Sequence, residues 1–130
     1  MIVTPPRDSR PKLSPSRWSH KHPRTTITYT DSEAAVTTFT VRQQLAGYRR
    51  AHGTCKALAA RQKRPAHTRA CTAFRSIGSF THADAAGTNR VSFRDRVGAH
   101  TLAPGSYVLE LTPALGSARG ATETASFQVR

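Results

Sequence analysis

From residue 25 onward the chain alternates apolar and polar positions with a period of two, in short runs separated by turn residues. Residues 25–30 put Ile27 and Tyr29 on one face, and residues 35–42 put Thr37, Phe39 and Val41 on one face. Residues 72–81 carry Phe74, Ile77 and Phe80, and residues 89–94 carry Val91 and Phe93. Residues 106–111 alternate Tyr107, Leu109 and Leu111 with Ser106, Val108 and Glu110, and residues 121–130 set Ala125, Phe127 and Val129 inward. Such alternation marks strands with one face on a core and one in water. β-Branched and aromatic residues suit that pleated, half-buried surface. Turn signals stand between the runs, at residues 31–34, at residues 86–88, at Gly98, at Pro104-Gly105 and across residues 113–120. About seven short strands spaced this way predict an all-β fold, an antiparallel sandwich. The aromatics at strand spacing (Tyr29, Phe39, Phe74, Phe80, Phe93, Tyr107, Phe127) are read as its core.

Two stretches break the rhythm. Residues 1–24 are interrupted by Pro5, Pro6, Pro11, Pro15 and Pro23 and read as a Pro/Arg-rich flexible linker or tail. Within them residues 13–16 are a candidate edge strand or lid, and Trp18 a candidate to dock on the sandwich. The domain proper is then residues 25–130, with an insert at about 43–72. Residues 55–63 fit two helical turns or a loop equally well, since they are short for an isolated helix.

Charge sharpens this division. Net charge is +13, made up of +5 in residues 1–24, −2 in 25–41, +9 in 42–75 and +1 in 76–130. The strand-rich parts are nearly balanced; the tail and the insert are not. Such charge attracts polyanions, whether nucleic acid, anionic lipid or acidic wall polymer, but it also serves simply to solvate loops. Arg49, Arg50, Lys56, Arg61, Lys63, Arg64 and Arg69 fall in the insert without one acid and are the candidate polyanion-binding residues. No helix-turn-helix, RRM or KH signature accompanies them, and only Tyr48 lies near as a stacking aromatic. Nucleic-acid binding by this set is expected to be non-specific.

Cys55 and Cys71 flank the same insert. A bridge between them closes a ring of about 17 residues, which loop entropy makes worth roughly 3 kcal/mol. The alternative is zinc: His52, Cys55, His67 and Cys71 supply a chemically suitable tetrahedral set, although their order and the missing finger core differ from a zinc finger. Catalysis has no comparable candidate. Asp31 and Glu33 are close but read as a solvated turn in which Asp31 caps backbone amides. The six histidines sit in polar surroundings, and neither a nucleophile-elbow serine nor a glycine-rich phosphate loop is present. The expectation is a non-enzyme without cofactors. No apolar run reaches the roughly 20 residues of a membrane helix, and residues 1–6 carry no signal-peptide core.

Several motifs together resemble a known family. The run from Ser32-Glu33-Ala34-Ala35 into Thr37-Thr38-Phe39-Thr40-Val41 is similar to a domain common in secreted multidomain proteins of actinobacteria. So are Gly78-Ser79-Phe80-Thr81-His82, Ala86-Gly87-Thr88-Asn89-Arg90, and Arg96-Val97-Gly98 leading to Leu102-x-Pro104-Gly105-x-Tyr107. Tyr107, just inside a strand after a tight turn, resembles the corner tyrosine of immunoglobulin-type sandwiches. The likeness covers about residues 13–130; residues 113–117 depart from the turn common in that family. It implies an immunoglobulin-like or fibronectin-type-III-like β-sandwich, with two cysteines about a basic insert and no catalytic residues. It implies an extracellular or cell-surface spacer or adhesive module, with anionic surface polymer or neighbouring domains as partners. Because no signal peptide is visible at Met1, it also implies a fragment of a larger protein or another export route. The competing expectation is a basic nucleic-acid-binding domain that uses the zinc set.

Overall fold

The structure, a computed structural model, describes residues 4–59 and 61–130. In chain order its strands are β1 (Asp8–Ser14), β2 (Arg17–Trp18), β3 (Arg24–Asp31), β4 (Ala35–Arg49), β5 (Lys56–Ala57), β6 (Arg69–Asp84), β7 (Gly87–Arg94), β8 (Arg96–Val97), β9 (His100–Thr101), β10 (Gly105–Leu115), β11 (Ala118–Arg119) and β12 (Glu123–Val129). Among the described residues there is no helix, hence none long and apolar enough to cross a membrane.

β1, β3 and β7 form one antiparallel sheet in that order. The larger sheet runs β2-β12-β10-β4, with β6 along the far edge of β4. The two share one core. Tyr29 of β3 meets Phe39 of β4 edge-on at 5.5 Å, and Phe93 of β7 lies 5.6 Å from Phe80 of β6 and 5.8 Å from Phe127 of β12. Facing sheets interdigitate side chains in this way because each has one apolar face to remove from water. Ile27, Phe39, Val41, Leu109 and Leu111 have no solvent exposure, and Tyr29 and Tyr107 have 1%. The alternating strands thus form the all-β core their pattern predicts.

Two expectations change and one open alternative is decided. Residues 8–18 are part of the body rather than a linker: β1 joins the small sheet as an edge strand that takes in Leu13 and Ser14 of the expected edge segment, and Trp18 docks as expected, buried and stacked on Phe127 at 4.9 Å. The prolines obscured this. Pro11 falls where the β1–β3 register slips between Ser9 and Lys12, on an edge strand, and an edge bulge is where a strand tolerates a residue without an N–H. Among the described residues of 55–63 there is no helix; of the two alternatives the loop holds, with the two-residue strand β5 in it. Phe74 is 50% exposed rather than core. A bulge between Val41 and Arg42 leaves Ile77 unpaired in β6, and one extra residue sends every later side chain to the opposite face. Ala73 and Arg75 therefore share the inner face with Leu45 and Gln43, and Phe74 turns outward opposite Gln44.

That bulge also divides the long β4–β6 hairpin. β10 pairs with β4 only as far as Gln43, yet β4 and β6 stay paired to Arg49↔Arg69. The outer half projects as a finger beyond the sandwich, and the basic insert is its tip.

Candidate functional site

The finger is held by a strap. β6 occupies one edge of β4, and β5 adds to the other, with Gly47↔Ala57 and Tyr48↔Lys56. Cys55, just ahead of β5, reaches over β4 to Cys71, which pairs with Gly47 on β6, and the two sulfurs are bonded with their Cα atoms 6.1 Å apart. A Cβ on residue 47 would lie 2.6 Å from the Lys56 carbonyl oxygen and 2.8 Å from the Cys55 sulfur, so glycine is what lets the bridge cross there. With the sulfurs joined, neither is a thiolate. The set His52, Cys55, His67, Cys71 therefore offers zinc no sulfur ligands.

All seven basic residues of the insert are exposed, but the strap gathers them unequally. Arg49, Arg50 and Arg69, with His52, line a cavity of about 350 Å³. Arg49, Arg50 and Lys56 line a neighbouring one of about 190 Å³. Arg61, Lys63 and Arg64 line neither; they sit on the outermost loop, where the Arg64 guanidinium donates to the Thr68 carbonyl. Arg49 and Arg69 stand directly opposite each other across the strand pair. Like charges in that position cost roughly 0.2–1 kcal/mol. Among the described residues none of these bases forms a salt bridge. The turn that closes the first cavity runs from Arg50 to Gly53, whose N–H donates to the Arg50 carbonyl at 2.9 Å, with His52 at φ +71°.

The other end of the same hairpin has the opposite character. Ala35 pairs with Asp84, and Asp31, four residues earlier, pairs with Asp8 of β1. Asp8, Asp31 and Asp84 are 0%, 1% and 6% exposed, and each offers a carboxylate oxygen within 4.8 Å of the others. Asp31 was expected in a solvated turn. It does cap the Glu33 N–H at 3.2 Å, but from inside the fold.

Burial, with hydrogen bonding to Asp84 and the charges of Asp8 and Asp84 adding to it, pushes the Asp31 carboxyl up to about 7. Burial likewise raises Asp8. Asp84 is also desolvated, but its hydrogen bonds with Asp31, Thr37, Tyr29 and His82 outweigh this and hold it below the usual carboxylate range. Tyr29 is pushed far above an ordinary phenol, by burial and then by its hydrogen bond to Asp84. The sequence offers no local sign of this cluster, because its members come from three segments: register pairs Asp8 with Asp31, and Asp84 meets them from the other sheet.

No protein-family model matches the chain, and no curated protein matches it.

Proposed function

We propose that this is a non-enzymatic module of immunoglobulin-like, fibronectin-type-III-like build, which serves outside the cell or at its surface as a spacer and holds anionic polymers on its basic finger. The observation that carries the binding half is the unpaired Arg49/Arg69 juxtaposition beside Arg50, tied in place by the Cys55–Cys71 bridge. A polyanion relieves the repulsion between facing guanidiniums and takes their forked donors.

Strand order supports the fold half. Three strands (β1, β3, β7) face four (β12, β10, β4, β6), and the strand after β4 stays in the larger sheet beside it. Tyr107, two residues into β10, donates its hydroxyl to the Ala103 carbonyl at 2.5 Å, the geometry of a tyrosine corner. The disulfide supports an oxidising compartment.

A second reading, a single-strand nucleic-acid binder, is favoured by one observation. Phe74 is half exposed, and alternation along the finger puts it on the same face as Tyr48. Aromatics on a basic surface stack bases at about 1–3 kcal/mol each.

The test is retention of the full chain on heparin, teichoic acid and single-stranded DNA across a salt gradient. The surface-polymer reading expects elution to track charge density on all three. It expects Arg49→Ala with Arg69→Ala to lower elution salt more than Arg61→Ala with Lys63→Ala. No retention on any of the three at low salt sinks it. A DNA preference lost in Phe74→Ala transfers the function to nucleic acid.

A further inference from the structure

The acidic end has a proton deficit that the polymer-binding reading does not use. Thr37 Oγ1 lies 2.7 Å from Asp8 Oδ2 and 2.5 Å from Asp84 Oδ2. A hydroxyl has one hydrogen, so it satisfies one of these carboxylates and faces the other with a lone pair. With the carboxylates ionised, Asp8 Oδ1 and Asp31 Oδ2 are buried with no hydrogen-bond donor. Buried polar groups are as a rule paired, and buried unpaired charge is costly. Among the described residues the three carboxylates have one basic partner, His82, whose Nδ1 is 2.8 Å from Asp84 Oδ1. Thr37 of β4 and Tyr29 of β3 add neutral hydroxyls, and Glu123 of β12 adds a further negative charge acting on Asp8. Strands β1, β3, β4 and β6 therefore all contribute oxygen, and among the described residues no lysine or arginine pairs with the cluster.

We propose that Asp8, Asp31 and Asp84 form a calcium site. The orphaned oxygens and the doubly used hydroxyl are what an absent cation would resolve. An all-oxygen set selects a hard ion over zinc or copper. Calcium accepts oxygens at about 2.3–2.6 Å in irregular geometry, so two ligands across the ion stand roughly 4.6–5.2 Å apart. The three carboxylate oxygens lie within 4.8 Å of one another, inside the greatest separation that two ligands of one calcium ion can have. Magnesium requires shorter bonds and near-octahedral order. The net charge of +13 opposes cation binding only weakly here. Its densest part lies at the far end of a 16-residue strand, roughly 50 Å away and several Debye lengths off. Bound, the ion ties the N-terminal strand β1 to β3 and β6.

The experiment is thermal unfolding of the full chain, stripped with EDTA, at pH 8 with added calcium. With a Kd in the range of about 10⁻⁴–10⁻³ M typical of extracellular modules, saturation raises the melting temperature by roughly 5–10 °C. Asp31→Asn removes a repelling charge, so it melts as high as or higher than the native chain in EDTA but loses the calcium response. Terbium luminescence sensitised by Tyr29 reports occupancy directly and is expected to be displaced by calcium. The proposal is overturned if calcium at about 20 times that Kd moves neither melting nor terbium emission, or if magnesium acts equally. It is also overturned if Asp31→Asn responds like the native chain. Asp84→Asn gives the same readouts should Asp31→Asn fail to fold. Failure here leaves the basic finger's polymer binding untouched.

Discussion

The two ends of the β4–β6 hairpin use charge in opposite ways. At the tip, Arg49 and Arg69 face each other in water, where repulsion is screened and each side chain turns to solvent. At the base, Asp8, Asp31 and Asp84 face each other inside the fold, where neither water nor salt separates them. The same kind of juxtaposition is a surface property at one end and a structural constraint at the other. What differs is burial, and burial decides whether like charges are relieved by a loose partner or by a bound proton or ion.

The largest effect is expected from pH, at the acid end, without divalent cations. The folded value of Asp31 is about 7 against an ordinary 3.8, so the folded chain binds the proton more tightly. That contribution is complete below about pH 4 and is lost as pH rises through 7. At about 1.4 kcal/mol per pH unit it amounts to up to about 4 kcal/mol. Asp8 acts in the same direction, whereas lowered Asp84 loses its contribution only as the solution becomes more acidic than about pH 4. Urea unfolding at pH 4.5 and pH 8 measures it, and Asp31→Asn is expected to flatten the difference. A flat native profile would erase the contrast between the ends.

Removing the strap comes next. Cys55→Ser with Cys71→Ser is expected to cost roughly 3 kcal/mol by loop entropy, with proteolysis confined to the finger. Cleavage that spreads into the sandwich would show that the finger is not an appendage. The smallest effect is Arg49→Glu, which turns the Arg49/Arg69 repulsion into attraction and adds about 1 kcal/mol or less. Its signature is a lower elution salt from heparin together with unchanged or higher stability.

Legibility in the sequence follows the range of the interaction. The strands of the core were readable, because alternation is a property of neighbours: Phe39, Tyr107 and Phe127 are inward as their runs predict. Phe74 was not, because one unpaired residue, Ile77, inverts its face, and nothing in the run announces it. Strand β1 was hidden behind Pro11, which the edge bulge accommodates. The basic set was visible as a charge run. Its division into a cavity-lining group (Arg49, Arg50, Lys56, Arg69) and an outer group was not, since it depends on β5 crossing to the free edge of β4. The acidic cluster was least legible: Asp8, Asp31 and Asp84 are 23 and 53 residues apart, and only register within one sheet and packing against the other bring them together.

The short strand β2 has a mechanical consequence. It runs parallel to β12, and the pairing is closed by the Gln128 N–H on the Ser16 carbonyl at 2.9 Å and the Arg130 N–H on the Trp18 carbonyl at 2.8 Å. Tension that reaches β2 through β1 from the N-terminal side, and β12 from the C-terminal side, pulls these parallel neighbours in opposite directions along their length. The bonds are then loaded in shear and must yield together, with Trp18 dragged off Phe127 at the same moment. A chain strung between larger partners would carry load through this clamp while the basic finger, which lies outside the force path, kept its shape.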